Sequence, residues 1–234
     1  MYYFIVNPNS RSGKGALIWK DLEDILNERN VEYKTFFTEY RGHAVLLSES
    51  ITSDAAPETP VTLIAVGGDG TIQEVLSGVH DLACITFGYI PTGSGNDFCR
   101  GMKLPMAPTE ALNLILSDCR PHPMDVPTLT CSTGSSHFAI SCGIGFDAGV
   151  CHEVGITPMK KVLNRIGLGK LVYLFVALKQ LLFLTPSPMT LVMDDDNVQQ
   201  FSKVYFTAVM NQKYEGGGFK FCPNASPSDG YLDV

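Results

Sequence analysis

The sequence predicts an α/β domain built on a parallel sheet, followed by a β-rich, antiparallel half. Three observations predict it. Over roughly the first 120 residues, short apolar runs alternate with amphipathic stretches of helical period, the pattern of βαβ units. Three of the connections between run and helix are rich in glycine. Beyond about Pro121 the helical period gives way to short β-rich runs parted by Gly, Pro, Asn and Asp. The boundary falls at 121–125, dividing the chain into units 1–123 and 124–234.

The elements follow in order. "YYFIVNP" (2–8) is an apolar strand that ends at Asn-Pro, a turn signal. "ALIWKDLEDILNERN" (16–30) carries apolar residues at 17, 18, 22, 25 and 26, one face of a helix. "VEYKTFFT" (31–38) reads as a strand, "HAVLLSESI" as a helix and 52–60 as a polar loop. "VTLIAV" is a strand, GGDGT a turn, "TIQEVLSGV" a helix and "ITFGYIP" (85–91) a further strand. After "TGSGNDF" comes the helix "APTEALNLILSD", with Thr109 expected as its N-cap. In the second half "MDVPTLTC", "SSHFAISCGIGF", "PMTLVMD", "VQQFSKVYFTAVMN" and "GYLDV" read as strands, with one long helix inserted at about 158–184.

Composition narrows the function. The chain has 234 residues, 45% of them hydrophobic, and a net charge of −7. With no basic run to neutralise phosphates, a nucleic-acid partner is not expected. The seven cysteines (84, 99, 119, 131, 142, 151, 222) form no C-x-x-C pair, so neither a zinc site nor a disulfide framework is favoured. Free thiols in a reducing cytoplasm are the simpler account. The N-terminus lacks the basic leader of a signal peptide. "KLVYLFVALKQLLFLTP" (170–186) is interrupted at Lys179 and Gln180, leaving runs too short for a membrane span of about twenty residues. The expectation is a cytoplasmic protein, with contact at the inner membrane face left open. "SPSDGYLDV" reads as a turn and the start of a strand, after which a further C-terminal piece is expected.

The chemistry lies in three glycine loops: "NPNSRSGKG", "GGDGT" and "PTGSGND". In an open parallel sheet, ligands bind beyond the carboxyl ends of the strands, where all three fall. Backbone N–H groups and a helix N-terminus favour anions there, and glycine lets a phosphate approach without a Cβ in the way. The loops nominate Ser10, Gly13, Gly67, Gly68, Asp69, Gly70, Thr71, Gly93, Ser94, Gly95 and Asn96. Standard fingerprints fail, however. Pro8 and Gly15 stand where a Walker A loop needs Gly and Ser or Thr, and "GSGNDF" ends in Phe98 where a dinucleotide loop needs glycine. Asp69 and Asp97 would repel a phosphate unless Mg²⁺ or a donor hydroxyl lay between, or unless each capped a helix. Lys14 is either a phosphate-binding point charge or a solvated loop lysine.

"GGDGTIQEVLSG" together with "PTGSGNDF" resembles the diacylglycerol kinase catalytic-domain family, in particular its soluble bacterial lipid kinases. "FTEYRGHA" (37–44), "SCGIGFDAGV" (141–150) and "VMNQKYEGGGFKFCPNASPSDGYLDV" (209–234) match further landmarks, so the resemblance covers essentially the whole chain. It implies a phosphofructokinase-like first domain, a β-sandwich second domain and ATP between them. It also implies phosphate contacts from Gly68 to Glu74, a nucleotide site lined by Asn7, Pro8, Thr38 and Thr92, and a charged network of Asp97 and Lys14. Ser226, Asp229 and the backbone of Tyr231 would hold a structural Mg²⁺. The acceptor would be a lipid hydroxyl at a membrane surface, diacylglycerol foremost, and the protein a homodimer. Two departures stand out: the glycine after "NPNSRS" sits one residue late, and the family's catalytic D-G-E carboxylate is expected beyond Val234. The segment 166–184 is either a membrane-facing element or ordinary core.

Rival readings are weaker. An NAD kinase shares GGDGT but lacks Asn96-Asp97-Phe98, and a sphingoid-base kinase is a nearer cousin. "AISCG" approaches a nucleophile elbow, yet "IGFDAGV" follows where a helix should open. "DDDN" (194–197) has Gln199 where a calcium loop wants glycine, so a hairpin turn is expected. A nucleotide-binding regulatory module without catalysis is the remaining class.

Overall fold

The computed structural model describes residues 1–117, 120–145, 185–194 and 197–234. The helix expected at 158–184, including the apolar segment 166–184, lies outside the described residues. The chain divides into two compact units, Met1–Ser141 with Met210–Asp233, and Cys142–Val209 with Val234.

In the first unit β1 (Tyr2–Val6), β2 (Tyr33–Phe37), β3 (Val61–Gly67) and β4 (Ile85–Pro91) form a parallel sheet in the order β2-β1-β3-β4. Around it lie α1 (Gly15–Glu28), α2 (His43–Thr52), α3 (Asp69–Ser77), α4 (Asp97–Met102) and α5 (Pro108–Ile115). Strand alternation sorts the core into two layers. Phe4, Val6, Ile64, Val66 and Ile90 pack with Trp19, Leu22 and Leu26 of α1 and with Ala111 and Leu112 of α5. Ile5, Leu63, Ala65 and Tyr89 pack on the other face with Ala44 of α2, with Ile72, Val75 and Leu76 of α3, and with Phe98 and Cys99 of α4.

Three local details differ from expectation. Helix α3 starts at Asp69, two residues before the apolar period, because Gly68 is extended (φ −107°) and its carbonyl takes the Thr71 N–H at 2.9 Å. Thr109 does not cap α5. Pro108 opens that helix, where its missing N–H costs nothing and its fixed φ suits the first turn. Six-residue α4 was not expected at all, being too short to show a period; left-handed Asn96 (φ 54°) and Lys103 (φ 55°) bound it.

Residues 210–233 return to the first unit. Asn211, fully buried, donates from its side chain to the carbonyls of Asp125 (2.9 Å) and Ala139 (3.0 Å). Of "GYLDV", only Asp233 pairs, bridging Met210. β5 (Thr128–Cys131) and β6 (Gly134–His137) form an antiparallel hairpin, tied to α3 where Ser77 Oγ accepts from the His137 N–H at 3.0 Å. In the second unit β7 (Ser141–Gly145) pairs with β10 (Phe206–Met210), and β8 (Ser187–Met193) is antiparallel to β9 (Asn197–Val204). Ser141 opens a strand rather than a nucleophile elbow. The β8–β9 register closes at Met193↔Asn197, as a hairpin turn at "DDDN" requires; 195–196 lie outside the described residues.

Candidate functional site

From β1 the chain moves outward to β2, then crosses back to place β3 on the opposite side of β1. The connections leaving β1 and β3 therefore diverge, and such a switch point leaves a crevice at the carboxyl ends of the strands. A cavity of about 380 Å³ occupies it. Asn7, Asn9, Ser10 and Arg11 line it from the loop after β1, and Thr38, Glu39, Tyr40 and Arg41 from the loop after β2. Gly68, Gly70, Thr71 and Glu74 come from the β3–α3 turn, and Gly93 from the loop after β4. The volume suits a small-molecule ligand.

The glycines serve different ends. A Cβ on Gly93 would stand 2.6 Å from Gly68 Cα and 2.8 Å from Asn96 Oδ1, so the second and third glycine loops touch backbone to backbone. A Cβ on Gly67 would run into the Thr71 side chain. Gly70 differs: nothing lies within 4 Å of its would-be Cβ, and it faces the cavity. As the second residue of α3, it belongs to the turn whose first N–H groups have no partner within the helix.

Hydrogen bonds fix the wall. Ser10 Oγ and Thr92 Oγ1 are 2.7 Å apart and buried, joining the first loop to the third. Asn7 donates to Thr71 Oγ1 at 3.4 Å and accepts from the Asn9 N–H at 3.0 Å. Asn96 Oδ1 accepts from the Gly93 N–H (3.1 Å) and the Tyr89 hydroxyl (3.0 Å). Burial, with the negative charge of Asp69 and others nearby, keeps the Tyr89 phenol protonated and thus a donor. The turn Ser10–Gly13 holds Arg11 (φ 48°) and Ser12 (φ 61°) in the left-handed region, a strained backbone at the cavity rim.

The aspartate inside GGDGT points to the third loop. Asp69 Oδ2 accepts from the Asp97 N–H at 3.2 Å and Oδ1 from the Phe98 N–H at 3.3 Å. Asp69 thus caps α4 rather than its own helix, and it is absent from the cavity lining. Asp97 is buried in turn. Its Oδ2 accepts from the Gly217 N–H at 2.7 Å, and its Oδ1 carries no hydrogen bond among the described residues. Arg100 stands 3.8 Å from that oxygen and donates to the Gly95 carbonyl at 2.8 Å.

Burial raises the Asp69 carboxyl above its ordinary value of 3.8; the amides of Asp97 and Phe98 oppose the rise, and the Asp97 charge adds to it. The folded protein therefore holds this proton more tightly than the unfolded chain. On this account stability falls as pH rises from about 3.8 to the raised value, then levels off. Asp69→Asn is expected to remove that fall, measured as the difference between the two unfolding free energies across mildly acidic pH.

Of the residues nominated from sequence, Asn7, Ser10, Thr38, Gly68, Gly70, Thr71, Glu74 and Gly93 line the cavity. Gly67, Asp69, Thr92, Asn96 and Asp97 lie behind it as supports. Pro8, Gly13, Ser94 and Gly95 are not lining residues. Lys14 is exposed, is not in the lining and makes no ion pair among the described residues; Asp97 meets Arg100 and Gly217 instead. Ser226, Asp229 and Tyr231 sit on a separate turn, where Asp229 Oδ1 accepts from the Tyr231 N–H at 3.1 Å. Asp125, missed in the sequence, joins them: its Oδ2 accepts from the Gly230 N–H at 2.8 Å. The donors there are oxygens, which suits a hard cation such as Mg²⁺, although no group of three or more His, Cys, Asp or Glu gathers for a metal among the described residues. Asn9, Arg11, Glu39, Tyr40 and Arg41 were also missed as lining residues; their presence in the loops after β1 and β2 was the available signal. No helix among the described residues is long and apolar enough to cross a membrane.

The family profile described as "Diacylglycerol kinase catalytic domain" matches residues 1–129, and that of the "YegS C-terminal NAD kinase beta sandwich-like domain" matches 142–234. A Bacillus subtilis (strain 168) protein named "Putative lipid kinase YtlR" is 32% identical over 239 residues, covering 100% of this chain and 76% of that protein. A "Probable lipid kinase YegS-like" protein of Xanthomonas euvesicatoria pv. vesicatoria (strain 85-10) is 30% identical over 192 residues, 80% of this chain and 59% of that one. This chain is thus shorter than both relatives. Among solved structures, a "putative diacylglycerol kinase from Bacillus anthracis str. Sterne" superposes with a TM-score of 0.74 at 25% identity, covering 99% of this chain and 71% of that one. With its parallel sheet, its antiparallel C-terminal strands and its glycine-lined cavity, the chain belongs to the diacylglycerol kinase catalytic-domain family, among the bacterial lipid kinases.

Proposed function

We propose that the cavity binds ATP, its phosphates against the β3–α3 turn, and that the protein transfers the γ-phosphoryl group to a lipid hydroxyl, diacylglycerol foremost. The product would be phosphatidic acid. The observation that carries this is the bare Gly70 backbone at the N-terminus of α3, inside a cavity walled by the loops that follow all four parallel strands. Helix N–H groups and the helix dipole favour the phosphates. The hydroxyls of Thr38 and Thr71 and the Asn7 amide add neutral partners, and Arg11 and Arg41 add positive charge at the rim.

In the transfer, the lipid oxygen bonds to the γ-phosphorus as the bond to the bridging oxygen breaks, and ADP leaves. The hydroxyl proton passes to a carboxylate; Asp97, buried behind the cavity wall with one oxygen fixed by Gly217, would belong to the charged network near the γ-phosphate. Mg²⁺, when bound, would supply charge neutralisation for the transfer, and Glu74 and Glu39 are the carboxylates in the cavity wall that could hold it. Asp125, Asp229, Ser226 and Tyr231 would hold a second, structural ion. The protein would work from the cytoplasm at a membrane surface.

The test is transfer of labelled γ-phosphate from ATP, with diacylglycerol, phosphatidylglycerol and a sphingoid base in mixed micelles and NAD in solution as competing acceptors. Label in diacylglycerol is the expected result. Label in NAD alone, or in no lipid, would overturn the reading.

A further inference from the structure

Residues 213–222, "KYEGGGFKFC", form a short hairpin next to the site, closed by reciprocal 2.9 Å bonds between Glu215 and Phe219. Its tip is latched to the third glycine loop by the bond from the Gly217 N–H to Asp97. Arg100 flanks it: a Cβ on Gly218 would stand 3.0 Å from Arg100 Nε. Just beyond the tip, Phe219 and Phe221 form an edge-to-face pair with ring centroids 5.0 Å apart. Both rings face solvent, at 66% and 39% exposure. Two phenyl rings paired with each other and left in water, in a turn anchored by glycines, make an apolar patch that calls for an occupant.

Lys220 lies between them, exposed, and Lys213 sits across the hairpin, its carbonyl taking the Cys222 N–H at 3.3 Å. Neither lysine makes an ion pair among the described residues. An aromatic pair framed by uncommitted ammonium groups matches the interface of a bilayer, where rings reach the acyl boundary and lysines meet phosphate headgroups. We propose that this hairpin is a membrane-docking element, seating Phe219 and Phe221 in an anionic lipid surface. Because Gly217 ties the hairpin to Asp97, docking would bring the acceptor's bilayer to the phosphoryl-transfer end of the cavity. The proposal rests on the lipid-kinase reading for its purpose but not for its test.

The test is sedimentation of the protein with phosphatidylcholine vesicles, with and without phosphatidylglycerol. The wild type is expected to sediment more strongly with the anionic vesicles. The Phe219→Ser/Phe221→Ser variant should lose about tenfold or more of that partitioning, since it removes the apolar contact. Lys220→Glu should lose mainly the preference for phosphatidylglycerol. Melting temperature and ATP binding should not change, because both rings are exposed. Phe219→Trp adds an optical readout: its emission should move to the blue with vesicles, while Trp19, 2% exposed in the core, contributes a constant background. Equal sedimentation of the double variant, or unmoved emission, would overturn the proposal. So would vesicle-free emission already typical of a buried ring, with a dimer mass pointing to a second copy as the occupant and a monomer mass to another part of the chain. If label transfer to lipids fails while docking holds, the kinase reading falls alone. If transfer succeeds and the double variant docks like wild type, this proposal falls alone.

Discussion

Gly93→Ala is expected to destabilise the protein by about 1–3 kcal/mol, the usual range for an overpacked site, and to abolish detectable ATP binding. The added methyl meets Gly68 Cα at 2.6 Å and Asn96 Oδ1 at 2.8 Å. Neither neighbour is the free end of a flexible chain. Gly68 is the N-cap of α3, and Asn96 is held by Tyr89 and by Gly93 itself. Relief must therefore come from parting the two loops that wall the cavity. Thermal unfolding and calorimetric titration with ATP check the two halves separately. A variant with unchanged melting temperature and affinity would show that the loops do not rely on this contact.

Asp69→Asn is the second large effect. Asparagine keeps one acceptor, so one of the amides of Asp97 and Phe98 keeps its bond while the other faces an NH₂ group. Loss of a hydrogen bond to a charged group costs about 1.5–3 kcal/mol. Relief of the buried charge offsets part of this at neutral pH, since burial already raises the Asp69 carboxyl. Activity should suffer more than stability. Helix α4 carries Asp97 of the supporting charged network, and a misplacement of about 1 Å caused by a change away from the reacting atoms can lower the rate on the order of 100-fold. We expect kcat to fall by about that factor with KM for ATP changed far less, because Asp69 is not in the cavity lining. Steady-state kinetics checks this split; a rise in KM alone would mean that Asp69 contacts the nucleotide directly.

How much of this was legible in the sequence follows from the range of each interaction. The four parallel strands and four of the five helices around them were readable because apolar runs and period 3.6 extend over enough residues. Six-residue α4 escaped because its position depends on Asp69, a residue 28 positions earlier. The same distance hid the task of Asp69, which locally reads as a cap for its own helix or a metal ligand. Glycines marked the third loop well, but the strain at Arg11 and Ser12 sits on residues with no such signature. Lys14 drew notice because a basic residue in a glycine loop suggests phosphate, whereas Arg11 in the same loop lines the cavity. Asp125 and Gly217 meet their partners only after 210–233 returns to the first unit, and nothing local in either segment announces that.

The central claim is that the switch-point cavity holds the phosphates of ATP. Gly70→Ala tests it most directly, because folding and binding should move in opposite directions. The Cβ meets nothing within 4 Å, and alanine in place of a helical glycine stabilises by up to about 1 kcal/mol, so the melting temperature should hold or rise. The same methyl enters the space assigned to the phosphates, so affinity for ATP in a calorimetric titration should fall at least about tenfold, or 1.4 kcal/mol. A variant that melts no lower and binds ATP as tightly as the wild type would place the nucleotide elsewhere.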